Sequence, residues 1–203
     1  FNALDTKAYD GIIVDVNLSS DTGILSLDAD ADNDTDIFDR VQFADGVTLS
    51  SAGDLSLDST TQAMQAQGSL TLETAANLNL NDSLNAAGEL NFSADTDGSG
   101  SGDFNLASGM SLTADGQNLT LSSNDIKLEG SIDLGDGTLN LLVSDTGAIG
   151  LGQADQDYDL SGAELEAITA GQLNLGDSSS ASIYVDGVTQ VQSNNISGDR
   201  KST

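Results

Sequence analysis

The stretch Gly130-Ser131-Ile132-Asp133-Leu134-Gly135-Asp136-Gly137-Thr138-Leu139-Asn140-Leu141 decides the fold of this chain. It holds two apolar–polar–apolar triplets, at 132–134 and 139–141, with a Gly-Asp-Gly corner between them. Successive side chains of a β-strand point to opposite faces, so each triplet puts two aliphatic side chains on one face and a polar one on the other. The stretch therefore predicts two short strands joined by a tight corner.

The same triplet recurs along most of the chain. It is found at Leu55/Leu57, Leu70/Leu72, Leu78/Leu80, Leu90/Phe92, Phe104/Leu106, Leu119/Leu121, Ile126/Leu128, Leu139/Leu141 and Leu173/Leu175. We place the triplets on three tracks with a step of about 20 residues. The first track is Met64, Leu84, Phe104 and Ile126, the second is Leu70, Leu90, Met110 and Ile132, and the third is Leu78, then a gap of one repeat, then Leu119 and Leu139.

Three short strands in each repeat of about 20 residues are typical of a solenoid whose repeat is one coil of a parallel β-helix. A single coil cannot bury its own triplets and must bury them against the coils above and below. An antiparallel β-sandwich also shows many short strands between turns, but it does not keep a fixed longer period. The period favours an all-β parallel β-helix of about nine or ten coils.

The charge balance limits the classes of partner. Lys and Arg total 5 and Asp and Glu total 33 among the 203 residues, which gives a formal net charge of −28. A chain this acidic cannot neutralise phosphates, so we expect no nucleic-acid binding, and it is equally unsuited to an anionic membrane surface. The charge favours solubility and the binding of cations. Disulfide bonds are excluded because Cys is absent. The sequence contains no run of about 18 apolar residues, so we expect no membrane insertion.

The regularity of the pattern divides the chain into three parts. Residues 1–45 follow the period less well, which predicts irregular N-terminal coils or the cap that a solenoid end requires. We expect the regular β-helix over residues 46–196 and a flexible tail over 197–203. The sequence begins at Phe1 without a basic-then-apolar leader, so we expect a mature protein or a piece of a longer polypeptide.

One short segment departs from the strand pattern. Ser161 and Glu164 have the S-x-x-E spacing of a capping box, and Leu160 and Leu165 occupy the positions of a hydrophobic staple around it. Gly171 is suited to the position just past a helix end. We therefore expect a helix of about two turns within 162–170.

An acidic run between two predicted strands is the strongest candidate for a binding site. Aspartates occupy positions 1, 3, 5, 7, 9 and 12 of a twelve-residue frame: Asp28, Asp30, Asp32, Asp34, Asp36 and Asp39. This is the ligand spacing of an EF-hand-type loop, whose oxygens converge on one Ca²⁺ ion. Three features depart from that pattern: Asn33 stands where Gly is usual, Asp39 is shorter than the usual Glu, and no helices flank the run.

The hypothesis for this run is therefore a Ca²⁺ site, and the alternative is a solvated acidic loop. No cofactor is expected to be required. The acidic segment 95–103 is a weaker Ca²⁺ candidate. It interrupts the third track, so we expect it to replace a strand there, and its alternative is a flexible surface loop.

The region after residue 148 carries a resemblance to a known family. The segments Ile149-Gly150-Leu151-Gly152 and Tyr158-Asp159-Leu160-Ser161-Gly162-Ala163-Glu164-Leu165-Glu166-Ala167-Ile168-Thr169-Ala170-Gly171-Gln172-Leu173-Asn174-Leu175-Gly176 resemble a repeat block of filamentous-haemagglutinin-like large exoproteins of Gram-negative bacteria. The resemblance covers roughly residues 46–190 and excludes the acidic run at 28–39. It implies a right-handed β-helix, secretion by a two-partner outer-membrane route, and adhesion or surface display. It brings no catalytic residues.

An enzyme is the competing class, because parallel β-helices also carry polysaccharide lyases and hydrolases. Lyases that act on acidic glycans need basic residues near the substrate carboxylate, whereas this chain has five in all and no His. We expect a non-catalytic segment of a secreted or cell-surface adhesin of a Gram-negative bacterium, acting as a rigid stalk or an adhesive surface. Its expected partners are host-cell or neighbouring-cell surfaces, or matrix glycans and proteins. The alternative is a subunit that associates end to end into an extracellular filament or matrix fibre.

Overall fold

The computed structural model describes residues 1–178 and 180–197, and the chain forms a parallel β-helix. The first three coils contain β1 (Leu4–Lys7), β2 (Ile12–Val14), β3 (Leu18–Ser20), β4 (Leu25–Asp28), β5 (Val41–Phe43), β6 (Val47–Ser51), β7 (Leu55–Asp58), β8 (Met64–Ala66) and β9 (Leu70–Thr74). The next three contain β10 (Leu78–Leu80), β11 (Leu84–Ala86), β12 (Leu90–Ser93), β13 (Phe104–Leu106), β14 (Ser111–Thr113), β15 (Leu119–Ser123), β16 (Ile126–Leu128), β17 (Ser131–Asp133) and β18 (Thr138–Val143). The remaining elements are β19 (Ile149–Gly152), β20 (Tyr158–Ser161), α1 (Gly162–Glu166), β21 (Ile168–Thr169), β22 (Gln172–Leu175) and β23 (Ile183–Asp186).

Each of the first six coils gives one strand to each of three parallel sheets. Sheet A has the order β1-β4-β7-β10-β13-β16, sheet B has β2-β5-β8-β11-β14-β17-β21, and sheet C has β3-β6-β9-β12-β15-β18-β22. Sheets B and C therefore hold seven strands each, fewer than the nine or ten coils expected from the period. The number of coils is smaller because some corners are longer than expected and because the last section, from β19 onward, is arranged differently.

The core follows from the alternation within each triplet. In sheet A, Leu25 pairs with Leu55 and Leu55 with Leu78, and all three side chains are fully buried. The residues between them point outward, and there they form ladders: Asn79 donates to Ser56 at 3.1 Å and Asn105 donates to Asn79 at 2.9 Å. Burying one Leu contributes roughly 1.5–3 kcal/mol, but only because the next coil covers it.

The tracks assigned from the sequence are wrong where they cross the segment 94–103, whereas the later steps from Phe104 to Ile126 and from Leu119 to Leu139 are confirmed. Leu84 pairs with Leu112 rather than with Phe104, and Phe104 pairs with Leu78. The segment 94–103 is an insertion at the corner between sheets C and A, and it does not replace a strand. It lengthens the step, which is 20 residues from Met64 to Leu84 and 28 from Leu84 to Leu112. The even step of the sequence tracks arose because this insertion is nearly as long as the spacing between two strands.

The predicted capping box is confirmed, but the helix is shorter than expected. The Ser161 side chain accepts from the Glu164 N–H, and the Glu164 side chain accepts from the Ser161 N–H. The helix has five residues and ends at Glu166 with Ala167 as its C-cap, because Ile168 begins a strand that pairs with β17. Gly171 is therefore not the helix terminus. It lies at a corner where a Cβ atom would come within 2.2 Å of the Asp136 carbonyl oxygen.

The last section of the rod does not stack in chain order. A separate parallel sheet has the order β20-β19-β23, and β20 lies beside β16. Side chains connect these two strands: Asp125 accepts from the Asp159 N–H at 3.0 Å, and Glu164 accepts from the Leu128 N–H at 3.0 Å. At the edge of sheet A the Leu128 N–H thus meets a carboxylate rather than a strand carbonyl, and β20 is joined to this edge through side chains.

The two ends of the chain contribute as follows. Strands β1 to β5, within the segment 1–45, lie in the same three sheets as the later coils. The predicted tail lies outside the described residues except for Ser197, whose N–H donates to the Ala170 carbonyl at 3.0 Å. In the described part of the chain, α1 is the single α-helix and is far too short to cross a membrane.

Candidate cation site

Two corners of neighbouring coils pack together near the start of the chain. The corner between β1 and β2 spans 8–11, and the longer loop between β4 and β5 spans 29–40. Gly11 permits their close approach, because its φ is +95° and a Cβ atom there would lie 2.1 Å from the Phe38 carbonyl oxygen. The Gly11 N–H also donates to the Ala29 carbonyl at 3.0 Å. The corner of the first coil is therefore held against the loop of the second.

This packing brings three carboxylates together. One oxygen from each of Asp10, Asp36 and Asp39 lies within 4.8 Å of the other two. Asp10 and Asp36 are exposed, whereas Asp39 is 0% exposed. Among residues 1–178 and 180–197 this is the one group of three or more acidic, His or Cys side chains close enough to share a metal ion.

Asp39 is incompletely hydrogen-bonded. Its Oδ2 accepts from the Asp36 N–H and from the Thr61 hydroxyl at 3.2 Å. Its Oδ1 is buried and has no hydrogen-bond partner in the described residues. Asp30, in the same loop, is 1% exposed, and both of its carboxylate oxygens are buried without a hydrogen-bond partner in the described residues. A buried carboxylate without partners costs several kcal/mol, so these groups need an explanation.

The charges around the group are of one sign. Repulsion from Asp39 is the main cause that raises the pKa of Asp36, followed by burial and by the charges of Asp10, Asp32 and Asp34. Arg40 does not relieve this repulsion, since its guanidinium donates to the Ile37 carbonyl at 3.3 Å. Within the described part of the chain, no ion pair involves the three clustered carboxylates.

The structure separates the six aspartates of the predicted Ca²⁺ loop. Asp36 and Asp39 enter the group described above, whereas Asp28 pairs with Lys7 at 3.3 Å. Asp30 is buried apart from the group, Asp32 accepts from the N–H of Asp34 at 3.4 Å, and Asp34 is exposed. Asn33 has φ +56°, the conformation that Gly adopts at this position of an EF-hand loop. The turn expected at position 6 is present, but the six carboxylates do not converge.

Sequence reasoning missed Asp10. It lies 26 residues before Asp36 and belongs to another coil, so the twelve-residue frame could not include it. The available signal was the Asp-Gly pair at a strand corner, directly before β2. That signal becomes informative only when the coil stacking is known, because stacking sets the corner beside the loop.

The other acidic segment behaves differently. Asp95 is 1% exposed, but its carboxylate accepts from Ser99, from the Gly100 N–H at 3.1 Å and from Ser144 at 2.6 Å. Burial acts to raise the pKa of Asp95, and these hydrogen bonds, led by Ser144, outweigh it and lower the pKa. Both oxygens of Asp95 therefore meet protein donors, whereas Oδ1 of Asp39 meets none, and these donors hold the loop around Asp95.

Comparison with known proteins gave no match to a family model, to a curated protein or to a solved structure. The class of the protein is therefore defined by its fold, a parallel β-helix of short three-strand coils. The resemblance to filamentous-haemagglutinin-like exoproteins stays a hypothesis based on the residues quoted above.

Proposed function

We propose that the chain is a non-catalytic, rigid segment of a secreted or surface-displayed bacterial adhesin, and that it acts as a spacer. The supporting observation is the continuous stack, in which sheets A, B and C enclose one aliphatic core and sheets B and C have seven strands each. At about 4.8 Å between neighbouring strands, this stack is about 30 Å long. Bending it would pull coils apart and expose Leu side chains to water, so stiffness follows from the same burial that stabilises it.

Two further features favour display outside the cell. The outer faces carry polar ladders, such as Asn174 donating to Asn140 at 2.8 Å and Asn140 donating to Thr120 at 3.2 Å. The net charge of −28 keeps the surface hydrated. The resemblance of the block 149–176 to secreted exoproteins adds the expectation of export.

Labelling of intact cells tests this proposal. Antibodies raised against the purified chain should label unpermeabilised cells of the producing bacterium or the culture fluid, and protease shaving should remove the cell-bound signal. A cytoplasmic protein measured in the same samples is the control for lysis. Detection of the chain only after the cells are broken would contradict the proposal.

A second candidate function is end-to-end assembly into a filament. The first coil leaves apolar side chains partly uncovered: Leu4, Ile12 and Leu18 pack on the core from one side only. Strand β1 is an edge strand, and an open edge is a template for another strand. The Leu4 N–H already donates to the Ile24 carbonyl at 2.9 Å, so the alternation of a parallel ladder directs the Asp5 N–H to the open side.

This geometry gives a specific test by negative-stain microscopy and sedimentation. If the rods join through β1, the wild-type chain forms fibres, Asp5→Pro removes the needed N–H and leaves single rods, and Asp5→Asn still forms fibres. Single rods of wild-type chain at every concentration would support the spacer and exclude the filament. Fibres formed equally by Asp5→Pro would exclude pairing through this edge.

A further inference from the structure

We propose that Asp10, Asp36 and Asp39 bind one Ca²⁺ ion, which ties the corner of the first coil to the loop of the second. This site differs from the twelve-residue frame predicted from the sequence, because one ligand comes from another coil. It is also independent of the spacer proposal, since it requires only the local packing around Gly11.

The spacing of the oxygens suits this ion. Ca²⁺ binds oxygen ligands at about 2.3–2.6 Å, so two ligands on opposite sides of the ion lie about 5 Å apart. The three carboxylates offer oxygens within 4.8 Å of one another, a spacing that one ion can span. Three carboxylates give three to six ligand oxygens, and water can complete the flexible shell that Ca²⁺ accepts. Mg²⁺ demands a stricter octahedron and retains its water, so it suits this irregular group less well.

The buried oxygen of Asp39 is the second, independent observation. Asp39 is 0% exposed and its Oδ1 has no hydrogen-bond partner in the described residues. Elsewhere in the same molecule a buried aspartate, Asp95, is met by several N–H and O–H donors. Asp95 shows that this fold can supply donors to a buried carboxylate, whereas Asp30, which lies apart from the group, receives none. At Asp39 the protein donors reach Oδ2 only, Oδ1 has none, and the carboxylates of Asp10 and Asp36 lie nearby, which is the arrangement that a cation satisfies.

Titration calorimetry with Ca²⁺ tests the proposal on the full chain after treatment with a chelator, in 150 mM NaCl to screen diffuse binding. We expect one ion per chain. Asp10→Asn removes an exposed ligand from a corner, so the fold is not at risk, and it should weaken binding by at least about tenfold. Asp34→Asn is the matched control: it removes the same charge from the same loop but lies outside the group, and it should weaken binding by less than about threefold.

Trypsin gives a second readout that uses the few basic residues of the chain. Ca²⁺ should slow cleavage after Arg40, next to the site, in the wild-type chain and in Asp34→Asn but not in Asp10→Asn. Cleavage after Lys127, on an exposed face of another coil, is the internal control for effects of Ca²⁺ on the protease. Absence of Ca²⁺ binding up to millimolar concentrations, or equal losses for Asp10→Asn and Asp34→Asn, would overturn the proposal.

Discussion

Thr60 adopts a backbone conformation that β-branched residues avoid. Its φ is +42°, and it lies at the corner between β7 and β8 with its side chain exposed. Left-handed conformations cost roughly 1–2 kcal/mol for ordinary L-residues, and Asn tolerates them best after Gly. We therefore expect Thr60→Asn to raise the free energy of unfolding by about 0.5–1 kcal/mol, measured by urea denaturation.

A threonine in an ordinary conformation is the control for Thr60. Thr71 faces outward from the middle of β9, where β-branched residues are favoured. The change Thr71→Asn should lower the free energy of unfolding by a few tenths of a kcal/mol. If both substitutions shift stability in the same direction, the backbone at Thr60 is not strained in the way described.

Tyr158 is a buried phenol whose hydroxyl lacks a hydrogen bond. The side chain is 0% exposed, and its hydroxyl and that of Ser123 both have no partner in hydrogen-bond geometry within the described residues. Burial raises the pKa of Tyr158 far above its ordinary value, the charge of Asp125 adds to the rise, and the nearby Ser123 hydroxyl opposes it. The folded protein therefore keeps this proton at pH values where the unfolded chain releases it.

The sign of the pH dependence follows from that difference. A folded pKa above the unfolded value means that stability is complete below about pH 10 and falls as the pH rises further, by up to about 1.4 kcal/mol per pH unit. We expect Tyr158→Phe to remove this part of the alkaline loss and to change stability at pH 7 by no more than about 1 kcal/mol. Urea denaturation at pH 9, 10 and 11 measures it, with Tyr184→Phe as the exposed control. An unchanged alkaline slope in Tyr158→Phe would contradict the assignment.

At the scale of elements, the one-turn helix α1 matters because Glu164 serves two elements at once. Its Oε2 accepts from the Ser161 N–H at 2.9 Å, which caps the helix, and its Oε1 accepts from the Leu128 N–H at 3.0 Å, which closes the edge of β16. Glu164→Gln keeps only one acceptor oxygen and presents an NH₂ group to the second donor. We expect it to lower the free energy of unfolding by about 1–2 kcal/mol.

The matched control for Glu164 is Glu166→Gln, an exposed change two residues further along the same helix. It should alter stability by less than about 0.5 kcal/mol. The opposing effect is relief of repulsion, because Glu164 adds to the causes that raise the pKa values of Asp125 and Asp159. Equal stability of Glu164→Gln and wild type would show that this relief offsets the lost hydrogen bonds.

The strands and the capping box could be predicted because both are local. A triplet such as Ile132-Asp133-Leu134 fixes its own alternation, and Ser161 and Glu164 fix their own spacing. The pairing of triplets could not be predicted reliably, since every Leu is an acceptable neighbour for every other Leu. The insertion at 94–103 shifted the tracks without leaving a contradiction in the sequence. The length of α1 could not be predicted either, because the helix is ended by the pairing of Ile168 with Ile132, a residue distant in the sequence.

The candidate site was half predictable for the same reason. Asp36 and Asp39 belong to one loop, so their nearness follows from a short sequence separation. Asp10 joins them only through coil stacking, and the loss of Asp28 to Lys7 depends on the pairing of β1 with β4. A sequence frame can propose that an acidic loop binds a cation, but the solenoid decides which carboxylates meet.

At the scale of the whole molecule, a narrow rod carries a net charge of −28. Neighbouring coils bring acidic residues of successive corners together, as with Asp82, whose pKa is raised mainly by burial and further by the charges of Asp58 and Asp30. The aliphatic core must therefore stabilise the stack against this repulsion. Each coil contacts only its neighbours, so this repulsion recurs between neighbouring corners along the rod. Salt weakens it mainly between charges that are exposed to solvent.

This balance predicts that mild acid stabilises the protein. The pKa values of Asp125 and Asp159 are raised mainly by burial, and that of Asp36 mainly by repulsion from Asp39. A carboxyl whose folded pKa lies above its unfolded value gains stability as the pH falls through the folded pKa, so unfolding should begin to become harder as the pH is lowered from 7, and the gain is complete only below the ordinary aspartate pKa of about 3.9. Asp95 has the opposite sign, because its lowered pKa means that its contribution is lost only in stronger acid, below about pH 4.

Thermal unfolding at pH 7 and pH 5 measures the effect, and each kcal/mol gained should raise the melting temperature by about 2–4 °C. Repeating both scans in 0.5 M NaCl separates the causes, because salt reduces the repulsion at exposed Asp36 but leaves the burial of Asp125. We expect the gain at pH 5 to shrink in salt without disappearing. A melting temperature that falls from pH 7 to pH 5 in both buffers would mean that hydrogen-bonded carboxylates such as Asp95 outweigh the repelled and buried ones.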